Sequence, residues 1–511
     1  MHARVQSCAL LGIDAYPVDV EIDVAGGLPT FATVGLPDSA VKESKDRVRS
    51  AIKNSGYYFP NGRVTVNLAP ANIKKEGTLF DLPVAVGILT AERIIKCKNL
   101  DDYLILGELS LDGKVRAVRG ALSVAVTAAR TGKKLLLPKE NAKEAALVQG
   151  LEVRGVENLS EIVEFLNGDT EIELTKVDIT SYFEREDSSL VDLSEVKGQE
   201  HVKRALEVAA AGGHNMLLIG PPGSGKTMLA RRLPGILPAM NLEEAIETTK
   251  VHSVAGVLTN GSDLITERPF RSPHHTISDA GLIGGGQIPR PGEVSLSNNG
   301  VLFLDEVPEF KKNVLEVLRQ PVEDGSVTIS RAAISLTYPS SFMLICAMNP
   351  CPCGFQGTPG KDCTCTPPMV KRYRNKLSGP LIDRIDIHCD VPALRFRELD
   401  GKRSGEPSKA VKERVLKART IQERRFLNGK VKGIYSNSDM TARQIKEFCA
   451  TDAKGSALLE VAVNKLGLSA RAYTRVLKVA RTIADLEGKI NIENHHLSEA
   501  IQYRTLDREN F

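Results

Sequence analysis

The residues with the most defined chemistry are Gly220, Pro221, Pro222, Gly223, Ser224, Gly225, Lys226 and Thr227. Glycines at this spacing let the backbone curl until its N–H groups face phosphate oxygens, and a helix start behind them adds partial positive charge. Lys226 then reaches the β and γ phosphates of ATP, and Thr227 ligates Mg²⁺ through its hydroxyl. Such a loop needs a strand before it and a helix after it, and the apolar run from Met216 to Ile219 and the helical stretch ending at Pro234 supply them. A second apolar run, Val301 to Leu304, ends in Asp305 and Glu306. One carboxylate is placed to hold the metal, the other to orient and deprotonate water. A third run, Phe342 to Met348, ends at Asn349, whose amide can bridge that water and the γ phosphate. Phosphoryl transfer also needs positive charge at the transition state, often an arginine from another subunit, and Arg384 is the candidate. Ser469 caps a predicted helix on which Tyr473, Val476, Leu477, Ala480 and Ala484 form an apolar stripe. Arg471, Arg475 and Lys478 fall on another face, from which the arginines can read the nucleotide as part of a lid.

Cys351, Cys353, Cys363 and Cys365 place four thiols on a loop rich in Pro, Gly and Thr, a set that suits tetrahedral, structural Zn²⁺. Two further segments carry a nucleic-acid expectation. The stretch from Val327 to Leu336 alternates apolar and polar residues about Arg331, as a β-hairpin with a basic tip would. Residues 281–292 read as a mobile glycine loop carrying Gln287 and Arg290. Arg331, Gln287 and Arg290 are suited to grip a phosphate backbone without reading sequence. From Arg395 to Lys432, thirteen Lys or Arg stand against five Asp or Glu, much of it on a predicted helix from Ser408 to Leu427. That run is either a solvated face or a nucleic-acid contact. The adjacent His274 and His275 read as loop residues, because neighbours on a strand cannot easily face one metal.

The elements that must position these groups fill a chain of 511 residues with 42% hydrophobic and 25% charged residues and no tryptophan. That composition excludes disordered and fibrous classes and provides for several packed units. No apolar stretch reaches membrane-span length and no secretory leader is visible, so a cytoplasmic protein with no membrane partner is expected. The predicted organisation is α/β and multidomain. Residues 1–167 read as a compact α+β domain. Residues 168–195, with nine acidic residues against Lys176 and Arg185, read as a linker. In residues 196–392 strand-like runs alternate with helices, giving an αβα core around a parallel sheet, and residues 393–511 are helical.

Taken in this order, the motifs resemble those of AAA+ ATPases, and the details are similar to the magnesium-chelatase-like branch, specifically the YifB/ComM family. The resemblance rests most on Lys197 to Leu206, Arg271 to His275, Asn349 to Gly354 and Ser469 to Tyr473. It implies a homohexameric ring with ATP at subunit interfaces, Asn349 as sensor 1, Arg384 as arginine finger and Arg471 as the sensor 2 arginine, with Arg475 as a nearby alternative. It also implies hairpins at the places of Arg331 and Gln287 that line a central pore, and a DNA helicase that drives branch migration on single-stranded or branched DNA during natural transformation. The N-terminal region is similar to the Lon-protease fold, with Gly107 to Gly113 and Leu137 to Glu140 as landmarks. Its stretch from Lys75 to Leu82 holds no serine nucleophile, so proteolysis is not expected. A metal-insertion motor of the chelatase type, or a nucleotide-switched adaptor, is the alternative.

Overall fold

The computed structural model describes residues 1–71, 75, 77–183, 191–258, 264–286, 289–331, 334–358, 360–393, 405–428 and 434–504. The chain forms two compact units. One comprises Met1–Arg185 with Leu242–Thr266, the other Glu186–Asn241 with Glu267–Phe511.

The first unit is built on a seven-stranded mixed sheet in the order Thr30–Val34, Arg63–Ala69, Asp14–Ala25, His2–Leu11, Tyr103–Ile105, Lys134–Pro138, Val153–Val156. Val18, Val20, Ile22 and Val24 alternate inward along one strand, as do Val64, Val66 and Leu68 on its neighbour, the period-two burial of a sheet with one covered face. The covering helix Asp81–Ala91 is apolar on every side and almost entirely buried. A turn at Asp112 and Gly113 joins the short antiparallel strands Glu108–Leu109 and Val115–Arg116. In the stretch that lacks a serine, Asp81 accepts from Arg47 Nε at 2.7 Å and Nη2 at 3.1 Å. Burial pushes the Asp81 carboxyl up to about 6 against the pull of Arg47.

The helix Leu242–Ala255 lies in sequence between the phosphate loop and Asp305, inside the segment read as the nucleotide-binding core. Its packing belongs to the first unit. Ser253 Oγ donates to buried Glu144 at 2.9 Å and accepts from Gly120 N at 3.2 Å, and Lys250 Nζ donates to Asp14 at 2.7 Å. Hydrophobic periodicity could not reveal this, because the helix docks through a polar network.

The second unit holds a five-stranded parallel sheet in the order Phe270–Arg271, Val301–Leu304, Met343–Met348, Met216–Ile219, Ile387–Asp390. Its central strands are buried on both faces, as parallel sheets between helices are. The helices Ser408–Asn428 and Ala470–Leu486 pack on Glu200–Gly212 and share one core with that sheet. Among the described residues no helix is long and apolar enough to cross a membrane.

Candidate nucleotide site and cysteine cluster

The strand Met343–Met348 lies between Val301–Leu304 and Met216–Ile219, and all three run parallel. Their C-terminal ends therefore open on one edge, where Asn349, Asp305 and the loop 220–227 follow directly. This is the crevice in which open α/β sheets bind ligands. The loop is shaped by Gly223 and Gly225, at φ +77° and +90°, values that favour glycine. Helix Lys226–Ala230 starts behind it. Lys226 Nζ donates to Gly220 O at 2.7 Å, Pro221 O at 3.0 Å and Asn349 Oδ1 at 3.2 Å. Its ammonium thus sits at the centre of the loop, with its pKa lowered by burial and partly restored by Asp305 and Glu306. Thr227 Oγ1 donates to Asp305 Oδ2 at 2.6 Å, so the two expected Mg²⁺ ligands already meet.

The fit to a phosphate group shows in the polar atoms left over. Ser224 Oγ is buried in the loop without a hydrogen-bond partner among the described residues. Glu306 has φ +50°, a left-handed conformation that costs a non-glycine residue of order 1–3 kcal/mol and concentrates at functional sites. Its N–H donates to Asp305 Oδ1 at 2.9 Å.

Two neighbours of this site were not assigned to it from the sequence. His275 Nδ1 lies 4.0 Å from Glu306 Oε2. Gln199, itself at φ +56°, donates to Ser224 O at 2.8 Å and Pro392 O at 3.1 Å, tying the loop to the strand end beyond Asp390. Gln199 lies in a segment that the sequence singles out only as a family mark and His275 in one read as a loop, and their polarity alone gives no partner.

The arginines divide. Arg475 forms an ion pair with buried Asp386, and Lys478 Nζ donates to Ser438 O at 2.6 Å, so neither lies on a free face. Tyr473, assigned to the apolar stripe, is 38% exposed, whereas Val476, Leu477, Ala480 and Ala484 are buried. Arg471 is exposed, 3.8 Å from Glu323 Oε1. Arg384 ion-pairs with the same Glu323 and donates through Nη1 to Pro380 O at 2.6 Å.

The sulfurs of Cys351, Cys353, Cys363 and Cys365 lie within 4.8 Å of one another. The separations of Cys351 from Cys353 and Cys363 are 3.4 and 3.6 Å, and that of Cys353 from Cys363 is 3.5 Å. A tetrahedron with Zn–S of ~2.3 Å has sulfurs ~3.8 Å apart, so the residues fit the ion. Backbone N–H groups of Cys353 and Gln356 point at Cys365 and Cys351 sulfurs at 3.4 Å, and the backbone amide of Phe355 foremost holds the Cys353 thiol down at about 5. This knuckle touches the phosphate loop, since a Cβ on Gly354 would stand 2.6 Å from Pro222 Cδ. A second cluster, Glu487 with His495 and His496, does not fit a metal as well. His496 Nδ1 accepts from Glu493 N at 2.8 Å, which leaves its proton on Nε2, facing Glu487 at 3.1 Å.

The hairpin expected about Arg331 is present as Ser326–Arg331 against Ile334–Pro339. The segment read as a mobile glycine loop instead pairs Gly284–Gly285 with Arg290–Pro291, and Gln287 lies outside the described residues. The two hairpins meet, with Arg331 Nε donating to Gly286 O at 3.3 Å and Tyr338 Oη to Pro289 O at 2.7 Å. In the basic run, Arg414 pairs with Glu207 and Glu406, Arg419 donates to Ala210 O at 3.0 Å, and Arg425 pairs with Asp485. Lys409, Lys417 and Arg424 remain exposed.

The chain matches the family description "Magnesium chelatase, subunit ChlI" over residues 192–399, "Subunit ChlI of Mg-chelatase" over 20–141 and "Magnesium chelatase, subunit ChlI C-terminal" over 405–504. It is 45% identical to the competence protein ComM of Haemophilus influenzae over 99% of this chain and 98% of that one. It is 44% identical to YifB of Escherichia coli over 99% and 97%. The 38 kDa subunit of magnesium chelatase from Rhodobacter capsulatus is 23% identical over 60% of this chain and 83% of its own length. With the three strand ends, the phosphate loop and the helical C-terminal part arranged as described, the chain belongs to the YifB/ComM family of magnesium-chelatase-like proteins.

Proposed function

We propose that this protein is an ATP-hydrolysing AAA+ motor that assembles as a homohexameric ring and acts on single-stranded or branched DNA as a branch-migration helicase. The observation that carries the ATPase reading is the pairing of the loop with both strand ends, Lys226 with Asn349 and Thr227 with Asp305, each within hydrogen-bond distance. In this reading the loop 220–227 cradles ATP, Lys226 holds the β and γ phosphates, and Thr227 and Asp305 hold Mg²⁺, which supplies charge neutralisation when bound. Glu306 takes the proton of the attacking water, and Asn349 orients that water. The sensor 2 role falls to Arg471, since Arg475 is held by Asp386.

The DNA reading is supported by the full-length similarity to a competence protein and by the meeting of Arg331 and the Gly284–Pro291 hairpin. The Cys351, Cys353, Cys363 and Cys365 set holds a structural Zn²⁺. The N-terminal unit is a Lon-like scaffold without proteolytic chemistry, for Asp81, paired with Arg47, stands in the stretch where that family carries its serine.

The test is the ATPase rate of purified protein with and without single-stranded and forked DNA, beside Lys226→Ala. Turnover that rises with DNA and vanishes in the variant is expected. Hydrolysis indifferent to every DNA would overturn the DNA motor.

A further inference from the structure

Arg384 and Arg471 come from segments 87 positions apart, one following the short helix Gly379–Ile382 and the other in the first turn of Ala470–Leu486. They meet on one carboxylate. Glu323, in the helix Arg319–Asp324, ion-pairs with Arg384 through Oε2 and lies 3.8 Å from Arg471 Nη2 through Oε1.

We propose that Glu323 is a positioning residue that holds Arg384 and Arg471 side by side as one unit directed at a single γ phosphate. The inference rests on the ATPase reading above, with the nucleotide at a subunit interface. Two guanidinium groups brought this close repel each other, and a carboxylate between them offsets the repulsion. One carboxylate against two cations leaves one positive charge over, of the sign needed where negative charge develops in phosphoryl transfer.

Donors are left over as well. Each guanidinium has five N–H groups in a rigid fork. Arg384 uses Nη2 on Glu323 and Nη1 on Pro380 O, and its buried Nε has no partner among the described residues. Arg471 is 58% exposed and carries donors that Glu323 does not occupy.

The surrounding contacts keep the unit in place. Arg475, one turn beyond Arg471, is fixed by its pair with Asp386 and sets the rotation of its helix. Arg319 Nη2 donates to Ser378 Oγ at 3.0 Å, tying the helix of Glu323 to the segment that leads into Arg384. The pair of Arg471 with Glu323 is exposed, and exposed pairs contribute little to folding. Its effect should therefore appear in turnover rather than in stability.

The experiment is steady-state ATPase of the full chain with DNA, for wild type, Lys226→Ala, Glu323→Ala, Glu323→Gln, Arg384→Ala/Arg471→Ala and the triple variant. Misplacement of a catalytic group by about 1 Å costs up to about a hundredfold in rate. Glu323→Ala is expected to lose about ten- to a hundredfold in kcat with KM and thermal midpoint unchanged, and Glu323→Gln to lose less. In the double-arginine background, removing Glu323 is expected to change kcat by less than about twofold. A full rate in Glu323→Ala, a raised rate, or the same fold-loss in the triple variant would overturn the proposal while leaving the ATPase reading intact. A wild type whose hydrolysis is unaffected by Lys226→Ala would remove both.

Discussion

Arg475 and Asp386 form an ion pair at the junction of the C-terminal helices and the nucleotide core, and the carboxylate is fully buried. His214 Nδ1 approaches the same carboxylate at 3.5 Å, and Asn215 N donates to it at 3.0 Å. Burial alone would raise the carboxyl pKa. Arg475 first, then His214, outweigh it and hold Asp386 well below the usual carboxylate range.

Removing one partner of such a pair leaves an uncompensated buried charge. Arg475→Ala is therefore expected to lower stability by about 3–5 kcal/mol, read as the shift of the denaturant midpoint, whereas Arg471→Ala should shift it by less than about 1 kcal/mol. Because the folded pKa is depressed, this contribution is present above the unfolded value near 4 and is lost only as pH falls through the lower folded value. Between pH 5 and 8 the Asp386 carboxylate of the wild type stays ionised, so its contribution to wild-type stability should stay constant.

A second buried group acts with the same sign in a higher pH window. His388 is fully buried in the strand Ile387–Asp390, and burial, followed by the cation of Arg504, drives its pKa well below the ordinary value, with Asp386 opposing and Arg475 adding to the shift. The folded state keeps His388 neutral while the unfolded chain takes up a proton near pH 6.5. Stability from this residue is thus full above about pH 6.5 and falls with acidification, by about 1.4 kcal/mol for each pH unit until the folded value is reached. His388→Asn is expected to flatten the dependence of the unfolding midpoint between pH 7 and 5. An unchanged slope would show that His388 titrates alike in both states.

Much of the nucleotide site is legible in the sequence because its parts are local. A strand, a glycine loop and Lys226-Thr227 are contiguous, and Asp305 and Asn349 each follow an apolar run directly, so chain order carries the geometry. The partners that decide between Arg471 and Arg475 are not local. Asp386 and Glu323 lie 89 and 148 positions away, and no periodicity in the helix Ala470–Leu486 distinguishes the arginine held by a buried carboxylate from the one that is exposed. For the same reason the charge count from Arg395 to Lys432 does not separate a solvated face from a nucleic-acid contact. Arg414, Arg419 and Arg425 turn inward to partners on Glu200–Gly212 and Ala470–Leu486 or their flanks, all of them distant in the chain.

The cysteine cluster predicts a metal content and a functional link. About one zinc per chain is expected by elemental analysis, lost in Cys363→Ser or on chelation. Because Gly354 packs against Pro222, loosening the knuckle should disturb the phosphate loop before it unfolds the sheet. A rise of about tenfold in the Kd for ATP, equal to about 1.4 kcal/mol, is expected without loss of the far-ultraviolet helix signal. Full zinc content in Cys363→Ser would remove that residue from the ligand set.

The two basic regions can be separated by salt. A side chain that neutralises one phosphate releases its counterions, so removing it reduces the slope of log affinity against log salt by about 1. Arg331 is exposed at the end of its hairpin, and among the described residues its hydrogen bond is to a backbone carbonyl of the neighbouring hairpin, a setting that leaves its charge available to a phosphate backbone. Arg331→Ala is expected to weaken single-stranded DNA binding alike for unrelated sequences and to lower that slope by about 1. Arg414→Ala should leave the slope unchanged, because its guanidinium is already neutralised by Glu207 and Glu406. The reverse pattern would move the DNA contact from the paired hairpins to the helix Ser408–Asn428.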